Sequence, residues 1–215
     1  MNRNAKPVRR NAHLQYHRWC YVLLAVLSVL IWTTVFQNLA KPAKNEKVGI
    51  VFFGQELDVS ALHAELSSAI GDLTDQKIEY VDVFQTMDAG NQLGSVLMAR
   101  SYDYDLLVLS GETMDHLHAY GFFAPLPEQL PQSLKALPTY SQTEDGVTAQ
   151  YGLEAYGPGS QSRFSAFCSG DRTYYIFLSK ESVNLAGLNG KGNPEDDAAL
   201  RVLEYLLEED YGTEN

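Results

Sequence analysis

The chain has 215 residues, 45% of them hydrophobic, and a net charge of −11. Arg3, Lys6, Arg9, Arg10 and Arg18 lie within the first 18 positions with no acid beside them, so the tail carries +5 and everything after it −16. A body this acidic excludes nucleic acid as a partner, because phosphates need a basic footprint, and two cysteines, Cys20 and Cys168, make neither a disulfide framework nor a zinc pattern.

Residues 1–18 read as a basic cytoplasmic tail. From Trp19 to Ala40 no residue is charged, and a helix of that length covers the roughly 30 Å of a bilayer's hydrocarbon core. The run is apolar on every side, with Trp19 and Tyr21 near one end and Trp32 and Phe36 near the other, as interfacial aromatic belts require. The five basic residues before the segment outnumber the three that follow it (Lys41, Lys44, Lys47). The expected topology is therefore a single pass at the cell membrane, N-terminus in the cytoplasm and main domain outside. Asn38-Leu39-Ala40 offers a small residue only at Ala40, so cleavage is disfavoured and the segment is expected to stay as an anchor.

Residues 41–46 read as a polar linker, 47–210 as one extracytoplasmic domain and 211–215 as a disordered tail. Within the domain, Lys47–Phe53 is an apolar run suited to a strand buried on both faces, ended by Gly54. Leu62, Leu66, Ala69 and Ile70 recur at helical spacing over 57–70, with Gly71 as the expected stop. Residues 78–84 alternate like a strand. A helix over 86–100 carries Met87, Leu93, Val96, Leu97 and Arg100. A third strand covers 104–109, and a short helix over 112–119 closes at Gly121. Strand and helix alternating with short connections predicts right-handed crossovers and a mainly parallel sheet in a three-layer α/β domain.

Four prolines make 124–146 an irregular segment with short helical turns. Residues 147–157 and 172–178 read as strands, with one of Tyr174 and Tyr175 facing inward. Residues 187–193 form a flexible, glycine-rich loop that lacks phosphate-loop spacing. Pro194 is expected in the first turn of a last helix whose apolar face is Ala199, Val202, Leu203, Leu206 and Leu207.

In open α/β sheets ligands gather at the carboxyl ends of the strands. That rule nominates Phe53, Gly54 and Gln55 after the first strand, Phe84 and Gln85 after the second, and Ser110, Gly111 and Glu112 after the third. The competing reading makes them ordinary loop residues, with Ser110 capping the next helix. His116 and His118 stand two apart on the short helix and point in different directions, so no metal site is expected. No catalytic motif surrounds Cys168 or His63, so neither an enzyme nor a cofactor is expected.

The passage from Tyr104 to Ser110, a helix, then Tyr120-Gly121-Phe122-Phe123-Ala124-Pro125-Leu126-Pro127 resembles the extracellular solute-binding proteins of ABC importers, of the larger sugar-binding-like class. Tyr174–Ser179, followed by the helix through Asp196–Leu207, is similar to that family's returning strand and its Ala-x-x-Phe-Leu-x-Tyr-Leu helix. The resemblance implies one lobe of a periplasmic-binding-protein fold and a non-enzymatic binding module associated with an importer. Family members run to about twice this length and close two lobes on their ligand, so this chain would be a single-lobe relative. Its partner would be a small molecule or an envelope protein. The other reading is an accessory or scaffold subunit of a membrane complex, acting by protein–protein contact.

Overall fold

A computed structural model describes residues 12–39, 42–87, 93–115, 120–128, 130–144 and 146–209. The chain divides into two compact units, Met1–Pro42 and Ala43–Asn215. The first contains α1 (Ala12–Leu39), of which Arg18–Phe36 is long and apolar enough to cross a membrane. Apolar side chains are exposed all around it, including Leu23, Leu27, Ile31 and Trp32. The Thr33 and Thr34 hydroxyls are bonded within the helix, donating to the Leu30 carbonyl at 3.0 and 2.8 Å.

The second unit is a mixed α/β domain around one six-stranded sheet. Its elements in chain order are β1 (Lys47–Phe53), α2 (Val59–Leu73), β2 (Tyr80–Thr86), α3 (Leu93–Ser101), β3 (Leu106–Ser110) and α4 (Gly111–Asp115). There follow α5 (Gln132–Lys135), β4 (Thr139–Glu144), β5 (Val147–Tyr156), β6 (Tyr174–Leu178) and α6 (Ala198–Leu207). Strand order is β2-β1-β3-β6-β5-β4. Successive β1 residues point into two different apolar clusters, which explains the continuous apolar run. Val48, Ile50 and Phe52 pack with Leu62, Leu66 and Ile70 of α2 and with the apolar face of α6. Val51 and Phe53 pack with Leu97 of α3, Met114 of α4 and Phe123.

The mainly parallel sheet expected from the sequence is present only in half. β1 pairs in parallel with β2 and β3, but β3–β6, β6–β5 and β5–β4 are antiparallel. After β3 the chain makes a long excursion and re-enters the sheet at its far edge as β4; β4 and β5 form a hairpin, and β6 then fills the place between β5 and β3, antiparallel to both. The segment read as irregular up to 146 contains a strand, β4, whose edge position tolerates the polar sequence Thr-Tyr-Ser-Gln-Thr-Glu. Gly146, just before β5, has φ +79°, a conformation that favours glycine.

Other boundaries shift for local reasons. Gly71 lies inside α2, which runs to Leu73. Thr74 caps its end by donating from backbone and hydroxyl to the Ile70 carbonyl. The next helix begins at Leu93, leaving Met87 exposed and Leu97 as its fully buried residue. The helix after β3 is described to Asp115, and His116 and His118 lie outside the described residues. Pro194 is exposed in the preceding loop, and α6 starts four residues later after Asp197. All five expected apolar positions of α6 are buried. Tyr174 is the inward-facing tyrosine of the pair, with 0% exposure.

Candidate functional site

The nominated residues do sit at or near the carboxyl ends of β1, β2 and β3, and most of them are occupied with packing. Phe53 is buried among the cluster around Leu109 and Phe123. The Gly54 N–H donates to the Thr86 carbonyl at 3.0 Å, and the Gln85 side-chain amide donates to the Gly54 carbonyl at 3.1 Å, tying β1 to β2. A Cβ on Gly54 would lie 2.7 Å from both the Phe52 ring and the Tyr174 hydroxyl, so only glycine fits. Gln55 is exposed. Phe84 lies further back along β2, half-buried beneath the Arg100 guanidinium at 4.2 Å. That cation–π contact uses the face on which a planar ligand would stack.

At β3 the Ser110 hydroxyl accepts from the Thr113 N–H at 3.1 Å and shares a 2.7 Å hydrogen bond with the Thr113 hydroxyl. Ser110 is therefore a helix cap, the alternative weighed for it. The Gly111 N–H donates to the Thr173 carbonyl at 3.1 Å, and a Cβ there would stand 3.2 Å from the Tyr175 ring. Glu112 is exposed and pairs loosely with Arg172 at 3.8 Å.

The polar centre of this end involves residues that the strand-end rule passes over. The Tyr174 hydroxyl donates to Glu56 Oε2 at 2.6 Å, and that oxygen also accepts from the Gln55 N–H at 2.8 Å. The Tyr174 hydrogen bond holds the Glu56 carboxyl below its ordinary 4.5, against the opposing effect of burial. Burial and then Glu56 raise the Tyr174 hydroxyl well above its usual range. Leu57 makes an isolated bridge with Cys168, and the Glu56 carbonyl accepts from the Ser169 N–H at 2.9 Å. Tyr174 could be anticipated as buried. Its pairing with Glu56 could not, because 118 residues separate them.

Burial, with the Glu56 charge second, pushes the Cys168 thiol up to about 12, so it stays protonated at physiological pH and is a poor nucleophile. His63 lies on α2 with Ser67 3.4 Å from its Nδ1. Among the described residues no group of three or more His, Cys, Asp or Glu is placed to hold a metal. Two surface grooves of about 460 Å³ and one of about 630 Å³ lie elsewhere. One of the smaller two is walled by Leu126, Leu130, Leu134 and Leu137 over Leu153 and Thr139, beside the start of β4. These three grooves share no residue with the strand-end set.

One further region is polar and open. β4 is the last strand of the sheet and, among the described residues, is paired only with β5. The register places Gly152 of β5 opposite Phe177 of β6, near the end of β6, so residues 147–150 and their β4 partners 141–144 extend beyond it as a two-stranded arm. The arm sets Ser-Gln-Thr-Glu of β4 against Val-Thr-Ala-Gln of β5, with the Thr143 and Thr148 hydroxyls 2.8 Å apart and Val147 70% exposed. No protein-family model, curated protein or solved structure matches the chain.

Proposed function

We propose that the chain is a single-pass membrane protein whose extracytoplasmic α/β domain is a non-enzymatic binding module acting by protein–protein contact. In this reading the N-terminal tail is cytoplasmic and the domain is a three-layer unit, related to one lobe of an importer's solute-binding protein. The observation that carries it is the open β4 edge with its projecting arm. An unpaired strand edge offers a row of main-chain donors and acceptors to an extended segment of a partner, the mode of β-strand addition. Glu112 and Gln55 apart, the strand-end positions where a solute would lie are engaged by the domain's own side chains and main chain.

Photo-crosslinking tests this. A crosslinker at Ser141 or Thr143, in membranes from the native host, should capture a defined protein partner, whereas one at Ser68 on α2 should not. Equal capture at all three positions, or at none, would overturn it. A second reading, small-molecule binding, is favoured by the exposed polar heads of Gln55, Glu112 and Arg172 at one end of the sheet. A ligand-induced rise in melting temperature that Arg172→Ala abolishes would establish that reading instead.

A further inference from the structure

The opposite end of the sheet, where β1 begins, contains a buried polar cluster that the binding reading does not use. The Asn184 side-chain nitrogen donates to the Lys44 carbonyl at 3.0 Å, the Lys47 carbonyl at 2.9 Å and Asp105 Oδ1 at 3.1 Å. Asp105 also accepts from the Ser182 hydroxyl at 2.5 Å and, through Oδ2, from the Gly49 N–H at 2.9 Å. Asn184 and Asp105 are 1% and 6% exposed. The Lys44 ammonium donates to the Tyr102 carbonyl at 2.5 Å. The stretch expected to be a polar linker through Glu46 is thus pinned to the domain along Lys44–Lys47, with Lys44–Glu46 wound into a 3₁₀ turn.

Asn184 is presented by the long connection between β6 and α6. That connection is fixed by Asn189, whose side chain donates to the Ser182 carbonyl at 2.6 Å and the Lys180 carbonyl at 3.1 Å. It is therefore a built loop where flexibility was expected. Gly192 closes it, because a Cβ there would lie 2.1 Å from the Val183 carbonyl.

Two physical features give this contact two states. One carboxamide meets both carbonyls while Asp105 Oδ1 holds it in place, so withdrawal of the segment takes the Lys44 and Lys47 carbonyls off one shared, fixed donor together, and intermediate positions are disfavoured. The Asn184 carboxamide oxygen, meanwhile, is buried with no hydrogen-bond partner among the described residues. Undocking would give that oxygen water, which lowers the cost of release.

We propose that Lys44–Lys47 is a releasable strap, docked by Asn184 in one state and free in the other, and that this exchange sets how far the domain can reach from its membrane anchor. Release frees Lys44–Lys47, four residues, which add about 13 Å of extended chain. A partner that engages the β6–α6 connection, or tension along the tether, would shift the exchange because each favours one state.

Limited trypsin digestion of the full-length protein in detergent tests the strap, with cut sites read by mass spectrometry. Lys41 precedes Pro42 and resists cleavage, so the informative sites are Lys44 and Lys47. Asn184→Ala should speed cleavage at Lys44 at least tenfold while cleavage at Lys135 stays unchanged. Leu206→Ala, which weakens the α6 core without touching the strap, should leave the ratio of Lys44 to Lys135 cleavage at its wild-type value. Unchanged Lys44 cleavage in Asn184→Ala, or a parallel rise at Lys135, would overturn the proposal. Should that variant not fold, hydrogen exchange on the wild-type protein decides. The Glu46 amide should exchange through an opening that leaves Val48–Phe53 protected, and exchange only together with that strand would contradict a separate strap.

Discussion

The two ends of the sheet solve the same problem, holding polar groups where strands stop, in opposite ways. At the amino end of β1 and β3, Asp105, Ser182 and Asn184 are buried and bonded to one another and to main-chain groups. At the carboxyl end, Glu56 is half-buried and Arg172 and Glu112 are exposed, while Tyr174 and the Ser110 cap are deeply set. Burial also gives their carboxyl groups opposite pH signs. The Asp105 carboxyl is raised, chiefly by burial, with its three donors pulling the other way, so its contribution is greatest in acid and is lost as pH rises. The Glu56 carboxyl is lowered, so it stabilises the fold above about 4.5 and that contribution is lost as pH falls. A dry network punishes the removal of any member, whereas a wet one lets water replace it.

Asp105→Ala would break the amino end most severely. It leaves the Gly49 N–H, the Ser182 hydroxyl and the Asn184 amide without their acceptor, and should cost about 3–5 kcal/mol by denaturant titration. Gly192→Ala comes next, since its Cβ meets the Val183 carbonyl and its φ of +69° disfavours alanine; a loss of about 2–3 kcal/mol would lower the melting temperature by roughly 4–12 °C. At the carboxyl end Tyr174→Phe should cost about 1–2 kcal/mol at neutral pH. It should also flatten the fall in stability below pH 4.5, because the Tyr174 hydrogen bond is the largest cause of the lowered Glu56 carboxyl. Glu112→Gln should change stability by less than about 0.5 kcal/mol, the scale of exposed ion pairs. If the last two variants cost as much as the first two, the contrast between the ends is wrong.

How much the sequence revealed follows the same division between local and distant causes. β1, α2 and α6 announce themselves because apolar spacing over one stretch decides which face is buried. β4 went unseen because an edge strand needs little apolar content, although Asp145-Gly146 between two alternating runs was a hairpin signal. The mixed direction of the sheet depends on where a long excursion re-enters, which no local window records. At the candidate site, Gly54 and Ser110 were legible as special positions, yet what they do depends on Tyr174 and Thr113 respectively. Asn184 and Asp105 were invisible as a pair, being 79 residues apart.

The central claim is that the acidic domain works outside the cytoplasm while α1 stays in the membrane. Asp171, exposed beside the carboxyl end of the sheet, provides the probe site. Asp171→Cys in a Cys20→Ser, Cys168→Ser background would be treated with a membrane-impermeant maleimide on intact cells, with full-length mass checked in the membrane fraction. Complete labelling of a membrane-bound, full-length chain is the predicted result. Labelling that appears only after lysis, or recovery of the domain as a soluble fragment, would contradict it.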